Sequence, residues 1–238
     1  MKAIWRDIYQ DLKTDIVEGT YPFQEFLPSE AHLVAKYGCS HNTLRRALST
    51  LSDEGLVQPI HGKGVRVTWQ PRSRTLFEVG GIETYEESVE RLGIRSETRV
   101  TAFEAVDATD ELAHKAGFKP GTPLLHVERI RVIDGSPVIR DNGYFLSDVV
   151  DGLTKQEAAH SIYRYLEQDR GLKIAQSQRE ITVEPAVKRD YKLLELPQGS
   201  YIAVVSNRVF SAAGEMFEYT QSRHRPDMFV FHDIARRK

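Results

Sequence analysis

A run of seven residues carries side chains suited to reading DNA. Residues 40 to 46, SHNTLRR, combine two forked cations, a carboxamide, an imidazole and two hydroxyls. An arginine fork can pair with guanine, an asparagine can pair with adenine, and a serine or threonine can hold a phosphate oxygen. These residue types predict a DNA-reading segment. A solvated helix face, or a face that contacts another protein, would show the same polarity and remains the alternative.

A second group of charged residues predicts a site for a polar, anionic small molecule. Arg129 and Arg131 lie two apart in HVERIRVID, and Asp141 lies in the next apolar run, PVIRDNGYFL. Residues two apart on a strand point to the same side, so neighbouring strands would place the carboxylate opposite both guanidinium groups. Such a cluster can hold sugar hydroxyls between planar donors and an acceptor. A plain cross-strand ion pair is the alternative.

The segment GGIETYEES, residues 80 to 88, predicts the start of a helix. The first backbone N–H groups of a helix have no partner within it, and the helix dipole favours negative charge there. Thr84, Tyr85 and Glu86 could therefore offer N–H groups to a phosphate. An ordinary capped helix start is the alternative.

The elements that position the DNA-reading segment form a compact pattern. Apolar residues at helical spacing predict a helix from Ile4 to Ile16, and Ser29 and Ser40 are suited to cap two further helices. Gly38 supplies a left-handed turn between those two helices. In the third helix, apolar residues at positions 44, 47, 48 and 51 leave the polar face exposed. A hairpin whose tip is HGKG, residues 61 to 64, follows.

A different pattern follows the polar, proline-containing and glycine-containing segment that begins near residue 69. Six alternating runs predict strands at residues 98–106, 123–133, 137–146, 177–185, 201–210 and 216–224. Helical stretches at 109–117, 160–169 and 188–196 separate them. The turn IDGSPV joins two strands directly, so part of the sheet is antiparallel. We predict an α+β chain with a winged helix-turn-helix domain at residues 1–68, a linker at 69–80 and a sensor domain at 81–238.

Composition restricts the class of protein. A single cysteine excludes an internal disulfide framework, and His and Cys do not occur at zinc-ligand spacing. The start, MKAIWRDIYQ, shows neither a signal peptide nor a membrane span, so we expect a cytoplasmic protein without membrane contact. The net charge is −2, although residues 1 to 75 hold 10 basic against 8 acidic residues. Charge alone therefore says little about nucleic acid.

The segment from Leu27 to Val67 resembles the DNA-binding signature of the GntR family of bacterial transcriptional regulators. The family pattern appears here as Pro28-Ser29-Glu30, Tyr37-Gly38, Ser40, Thr43-Leu44-Arg45, Ala47-Leu48, Glu54-Gly55-Leu56 and Gly62-Lys63-Gly64. His41 stands where the family commonly has arginine, which implies a weaker donor at neutral pH. Together the residues and the resemblance predict DNA contacts by Ser29, Ser40, His41, Asn42, Thr43, Arg45, Arg46, His61, Gly62 and Lys63.

Residues 76 to 236 resemble the UTRA sensor domain of the HutC subfamily, which has an α+β fold similar to chorismate lyase. The stretches SIYRYLEQDRGLKIAQSQREITVEP and FEYTQSRHRPDMFVFHDIARR further resemble trehalose operon repressors of Gram-positive bacteria. That resemblance implies trehalose 6-phosphate as the inducer. Asp141 stands where the subfamily commonly has glutamate, and the shorter side chain is consistent with a cavity for a disaccharide.

The resemblance also implies roles for individual residues. The helix start at residues 84 to 86 and a Ser-x-Tyr motif, here Ser161 and Tyr163, grip the phosphate in the subfamily, and other positions contact the sugar. The predicted effector contacts are Thr84, Tyr85, Glu86, Arg129, Arg131, Asp141, Ser161, Tyr163, Glu218 and His224.

These observations predict a homodimeric repressor that binds double-stranded operator DNA and is released by a sugar phosphate. Helix-turn-helix proteins usually bind two half-sites as two-fold dimers. A sensor for N-acetylglucosamine 6-phosphate is the alternative within the family. A sugar-phosphate hydrolase is the alternative from another class, because Asp141 and Glu218 could act as acid and base on a glycosidic bond. The sequence has no nucleophile elbow and no nucleotide-binding loop, so we expect neither catalysis nor a cofactor.

Overall fold

The computed structural model describes residues 4–70, 77–78, 82 and 85–232. The described residues fall into two compact units, one holding residues 4–70 and the other holding the described residues from 77 onwards. The first unit, called the head below, contains three helices and a hairpin: α1 (Trp5–Val17), α2 (Glu30–Tyr37), α3 (His41–Asp53), β1 (Val57–Ile60) and β2 (Gly64–Val67).

One apolar core holds the head together. The apolar stripes of α1 and α3 face each other, and α2 and the hairpin close the remaining sides. The core residues are Ile8, Leu12, Ile16, Leu27, Leu33, Leu44, Ala47, Leu48, Leu51, Leu56, Val57 and Val67. Burying a leucine or isoleucine side chain contributes about 1.5–3 kcal/mol, so this stripe fixes which face of α3 remains in solvent.

The predicted caps and turns of the head are confirmed. The Ser29 hydroxyl accepts a hydrogen bond from the His32 N–H, and the Ser40 hydroxyl accepts one from the Thr43 N–H. Gly38 ends α2 with φ 58°, a left-handed conformation that costs glycine little. These three residues set the angle at which α3 leaves α2.

The second unit is built on one six-stranded antiparallel sheet. Its strand order is β4-β5-β6-β9-β8-β7, and a separate two-residue parallel pair joins β3 to β10. The elements in chain order are β3 (Phe77–Glu78), α4 (Tyr85–Leu92), β4 (Ser96–Asp107), α5 (Asp110–Ala116), β5 (Pro123–Ile133), β6 (Ser136–Leu146), α6 (Lys155–Ala159), α7 (Ile162–Arg164), a π-helical turn (Tyr165–Asp169), β7 (Ile174–Pro185), α8 (Lys188–Leu193), β8 (Tyr201–Ser211), β9 (Met216–His224) and β10 (Phe231–His232).

One face of the sheet, called the α8 face below, buries a network of ion pairs. Arg140 on β6 donates to Glu128 on β5 at 2.9 Å and to Asp190 on α8 at 2.6 Å. Arg223 on β9 donates to the same Asp190 at 3.0 Å and to Glu184 on β7 at 3.0 Å. Asp190 is fully buried and links two strands to α8. Charged side chains therefore anchor α8 to the sheet from within.

The predicted fold class, α+β with a winged helix-turn-helix head and a largely antiparallel sheet, is confirmed. The bounds predicted for β5 and β9 match those observed, and the hairpin between β5 and β6 turns at Asp134 and Gly135, which have positive φ. The helix predicted at 160–169 is instead the single turn α7 followed by the π-helical turn. The short helix α6 was not predicted. Parts of the predicted linker lie outside the described residues.

Candidate functional site

The polar face of α3 lies in solvent, as predicted from its spacing. Leu44 and its apolar neighbours are buried, whereas His41, Asn42, Arg45 and Arg46 are exposed. The hydroxyls of Ser40 and Thr43 lie 2.8 Å apart at the N-terminus of α3. An exposed helix with this polar face can enter a major groove.

Two contacts that the sequence did not reveal hold the arginines of this face. Glu30, the last residue of the Pro-Ser-Glu motif, accepts a hydrogen bond from Nε of Arg45 at 3.2 Å. The same carboxylate oxygen lies 3.7 Å from Nδ1 of His41. The guanidinium of Arg46 stacks on the ring of Trp5 at 4.5 Å. α1 and α2 thus restrict side chains that α3 would offer to DNA.

The hairpin provides a second exposed, basic element. His61, Gly62 and Lys63 at its tip are exposed, and the N–H of Lys63 donates to the Ile60 carbonyl at 3.0 Å. Gly62 and Gly64 have φ of 72° and 113°. Because the tip carries little bulk beyond its two basic side chains, its backbone can approach a phosphate chain closely.

A cavity lies on the other face of the six-stranded sheet, called the cavity face below. Its volume is about 150 Å³, roughly ten times what one water molecule requires, so a small organic ligand can enter. Nine of the ten predicted effector residues line it: Tyr85, Glu86, Arg129, Arg131, Asp141, Ser161, Tyr163, Glu218 and His224. The tenth, Thr84, lies outside the described residues.

The predicted arginine and aspartate cluster forms, and Asp141 lies at its centre. In register, Arg129 pairs with Asp141 across β5 and β6. Nε of Arg131 donates to Asp141 at 2.7 Å, and Ser222 donates to the other carboxylate oxygen at 2.7 Å. Burial would raise the pKa of Asp141, but Arg131 and Arg129 hold that pKa at about 2. Asp141 is therefore a charged, fully bonded anchor.

Arg129 and Glu218 both line the cavity, and each has one polar atom that is almost inaccessible to solvent. Nε of Arg129 and Oε2 of Glu218 make no hydrogen bond of normal geometry with the described residues. Burial raises the pKa of Glu218, and burial beside Arg131 lowers the pKa of Arg129 to about 10. A buried polar atom without a partner is costly. Arg129 therefore has a donor without a partner, and Glu218 has an acceptor whose neighbour is the Tyr163 hydroxyl.

Residues of α4 and α7 and the residue that caps α7 form one wall of the cavity, opposite the sheet. The Ser161 hydroxyl accepts a hydrogen bond from the Arg164 N–H, and its own proton remains available for donation. Burial, with the Glu218 carboxylate nearby, raises the pKa of Tyr163 well above its ordinary value. Arg164 pairs with Glu86 at 3.3 Å, which joins α4 to α7. The two segments predicted to grip a phosphate are thus connected.

His224 lies at the end of β9 beside the Phe229 ring, 4.9 Å between ring centroids. Burial lowers the pKa of His224 to about 4, against the opposing effect of Asp141. The imidazole is therefore neutral at physiological pH, and it adds no positive charge to the cavity.

Six polar residues that line the cavity were not predicted from the sequence: His160, Ser177, Arg179, Asn207, Thr220 and Ser222. Ser177 and Arg179 belong to β7, and Asn207 belongs to β8. The Asn207 side-chain oxygen accepts from Nε of Arg179 at 3.1 Å and from Ser177 at 3.2 Å. The alternation of β7 places residues 177 and 179 on one side, but only the strand order β9-β8-β7 shows that this side faces the cavity.

Metal and membrane sites were also sought within the described residues. No three His, Cys, Asp or Glu side chains there are grouped so as to hold a metal ion. None of the helices in that part of the chain is long and apolar enough to cross a membrane.

Two family models match the chain. Residues 5–67 match the bacterial regulatory proteins of the gntR family, and residues 91–230 match the UTRA domain. The HTH-type transcriptional regulator TreR of Bacillus subtilis (strain 168) is 38% identical over 230 residues, which cover 97% of this chain and 96% of that protein. The HTH-type transcriptional repressor NagR of the same organism is 25% identical over 228 residues, which cover 96% of this chain and 93% of that protein.

Solved structures show the same architecture. The possible transcriptional regulator YydK from Bacillus subtilis superposes with a TM-score of 0.82 at 21% identity, covering 98% of this chain and 99% of that chain. The effector binding domain of the B. subtilis trehalose repressor (TreR) is 38% identical, has a TM-score of 0.55 and covers 60% of this chain and 99% of that chain. The relatives are transcriptional regulators, so Asp141 and Glu218 belong to a regulatory domain and are not the acid and base of a hydrolase. The chain belongs to the GntR family of bacterial transcriptional regulators, and its second domain is a UTRA effector domain of the HutC type.

Proposed function

We propose that this regulator is a cytoplasmic, homodimeric repressor of trehalose uptake and utilisation genes, and that trehalose 6-phosphate releases it from its operator. The observation that carries this proposal is the 38% identity to TreR across both domains. The identity extends over the effector domain, which holds the cavity. The domain limits that we propose remain 1–68 for the head, 69–80 for the linker and 81–238 for the effector domain.

The cavity chemistry supports a phosphorylated sugar. Arg129 and Glu218 offer a donor and an acceptor to sugar hydroxyls, and Asp141 holds Arg131 in place beside them. Ser161 and Tyr163, with the N-terminus of α4, face the phosphate in this proposal. Bidentate and charge-assisted hydrogen bonds of this kind are the strong ones in protein interiors.

The head supports operator recognition. We assign base contacts to Asn42 and Arg45, because their side chains project from the exposed face of α3. Phosphate contacts are assigned to the remaining predicted residues: Ser29, Ser40, His41, Thr43, Arg46, His61, Gly62 and Lys63. A single head makes few base contacts, so a two-fold dimer on two half-sites is needed for selectivity.

Release follows from linkage between the two sites. A ligand that binds more tightly to the arrangement that cannot hold DNA lowers the affinity for the operator. By linkage, DNA lowers the affinity for the ligand by the same factor. A coupling of about 1–3 kcal/mol would weaken operator binding roughly 5- to 150-fold.

The proposal is tested with an operator that the wild-type protein selects from random duplexes. Anisotropy of the labelled operator should fall when trehalose 6-phosphate is added and should stay unchanged with trehalose. Arg45→Ala should weaken operator binding but retain sugar phosphate binding, whereas Arg129→Gln should bind operator normally and resist release. An operator that trehalose 6-phosphate leaves bound would overturn the proposed inducer.

A second candidate inducer is N-acetylglucosamine 6-phosphate. It is the sugar phosphate that the resemblance to the HutC subfamily leaves as the alternative to trehalose 6-phosphate. Release of the operator by N-acetylglucosamine 6-phosphate, but not by trehalose 6-phosphate, would favour this candidate.

A further inference from the structure

Arg179 occupies a position in the cavity that differs from those of the other arginines. It lies on β7, the edge strand of the sheet, whereas Arg129 and Arg131 lie on β5. Its Nε donates to the Asn207 side-chain oxygen at 3.1 Å. Asn207 thereby fixes one side of the guanidinium and leaves its terminal nitrogens directed elsewhere, and these nitrogens make no hydrogen bond with the described residues.

The charge balance of the cavity makes Arg179 distinctive. Arg129 and Arg131 lie 3.8 Å and 2.7 Å from the Asp141 carboxylate. Among the described residues, no carboxylate lies within 4 Å of Arg179, whose partner is a neutral amide. Among the arginines that line the cavity, Arg179 therefore has the charge least compensated by carboxylates, and the residue is exposed.

Arg179 also lies near the segment assigned to the phosphate. Its charge acts on the Tyr163 hydroxyl, as does the charge of Arg129. Tyr163, Arg129 and Arg179 all line the cavity, and the two arginines belong to different strands, β5 and β7. An anion held by Ser161 and Tyr163 would lie within the field of Arg179.

We propose that Arg179 is a further effector contact that binds the phosphate of the sugar phosphate, with Asn207 orienting its guanidinium. This inference rests on the proposed function, because it deepens the description of the same cavity. Hydrogen bonds to charged groups and bidentate arginine–phosphate pairs are strong, so loss of Arg179 should weaken binding of a phosphorylated ligand about 10- to 100-fold. An unphosphorylated sugar should be unaffected.

The experiment compares Arg179→Gln, Arg179→Lys and a control, Arg99→Gln, by titration calorimetry. Arg99 is an exposed arginine on the opposite edge strand, β4, and pairs with Glu97 away from the cavity. The titrants are trehalose 6-phosphate, trehalose and inorganic phosphate. Arg179→Gln should lose affinity for both phosphates, Arg179→Lys should lose less, and Arg99→Gln should match the wild type. An unchanged melting temperature would show that Arg179→Gln is folded.

The outcomes separate this inference from the proposed function. If Arg179→Gln binds trehalose 6-phosphate as tightly as the wild type, the inference is wrong and the proposed function stands. If the wild type binds inorganic phosphate through Arg179 but does not bind trehalose 6-phosphate, the proposed inducer is wrong and the inference stands. If the wild type binds neither phosphate, both are wrong.

Discussion

On the α8 face of the sheet, the buried guanidinium groups of Arg140 and Arg223 each lie within 3.0 Å of two different carboxylates. On the cavity face, Arg129 has one carboxylate within 4 Å among the described residues, at 3.8 Å. Both layers are carried by the same central strands, because residues 128 and 129, 140 and 141, and 222 and 223 alternate between the faces.

The difference between the two faces indicates that the α8 face stabilises the domain and that the cavity face binds the ligand. Charges that satisfy one another gain little from a ligand, whereas open donors and acceptors gain the most from one. The ion pairs on the α8 face hold the strands in register, whereas Nε of Arg129 on the cavity face has no hydrogen bond with the described residues. Changes on the α8 face should therefore act on stability, and changes on the cavity face should act on binding.

The largest effect is expected from Asp190→Ala. This change leaves Arg140 and Arg223 buried without their shared carboxylate, which should cost about 3–5 kcal/mol of unfolding free energy. Urea unfolding followed by far-UV circular dichroism measures that loss. Both tryptophans, Trp5 and Trp69, lie in the head, so the transition seen by tryptophan fluorescence serves as the control and should keep its midpoint. A loss below 1 kcal/mol would contradict a scaffold role.

A matched pair of glutamates tests the comparison most sharply. Burial opposes ionisation of Glu128, but Arg189, Thr101 and Arg140 hold its pKa at about 2, so Glu128→Gln should destabilise by about 1–3 kcal/mol. Burial raises the pKa of Glu218, so Glu218→Gln should leave stability within about 1 kcal/mol of the wild type and weaken ligand binding. The same unfolding and titration measurements apply to both. Equal destabilisation by the two variants would contradict the distinction.

As the pH falls below 7, the free energy of unfolding should respond to His224 on the cavity face before it responds to Glu128 on the α8 face. The pKa of His224 is lowered by burial to about 4, so between its ordinary value and pH 4 the unfolded chain binds a proton that the folded chain does not. The contribution of His224 to stability should therefore fall as the pH decreases through that window, by about 1.4 kcal/mol per pH unit at most, while the raised pKa of Glu218 acts in the opposite direction. Glu128 should contribute a loss only below its ordinary pKa. Unfolding of His224→Phe at pH 7 and pH 5 should show a smaller loss than the wild type, and an equal loss would contradict this assignment.

The smallest effect is expected from Arg189→Ala. Arg189 contacts Glu128 at 2.5 Å, but its side chain is 54% exposed. An exposed ion pair contributes about 0.2–1 kcal/mol, so the unfolding free energy should fall by no more than that. A loss as large as that of Asp190→Ala would place Arg189 inside the network instead of at its edge.

Local patterns predicted most elements and the arginine and aspartate cluster of the cavity, whereas Ser161, Tyr163, Glu218 and His224 were predicted from the family resemblance. Alternation alone placed Arg129, Arg131 and Asp141 on one side, because β5 and β6 are neighbours in sequence joined by a tight turn. The position of Arg179 required the order β9-β8-β7, which no local pattern contains. The role of Asp190 required knowing where α8 packs. The missed helix α6 did carry a local signal, since Thr154 and Glu157 form a capping box.

The most direct test of the account is titration calorimetry of the wild-type protein with trehalose 6-phosphate, using trehalose and N-acetylglucosamine 6-phosphate as comparators. If the cavity binds a phosphorylated disaccharide, one trehalose 6-phosphate should bind per chain with saturation, and both comparators should bind much more weakly. No heat with trehalose 6-phosphate, or a preference for the amino-sugar phosphate, would contradict the trehalose assignment.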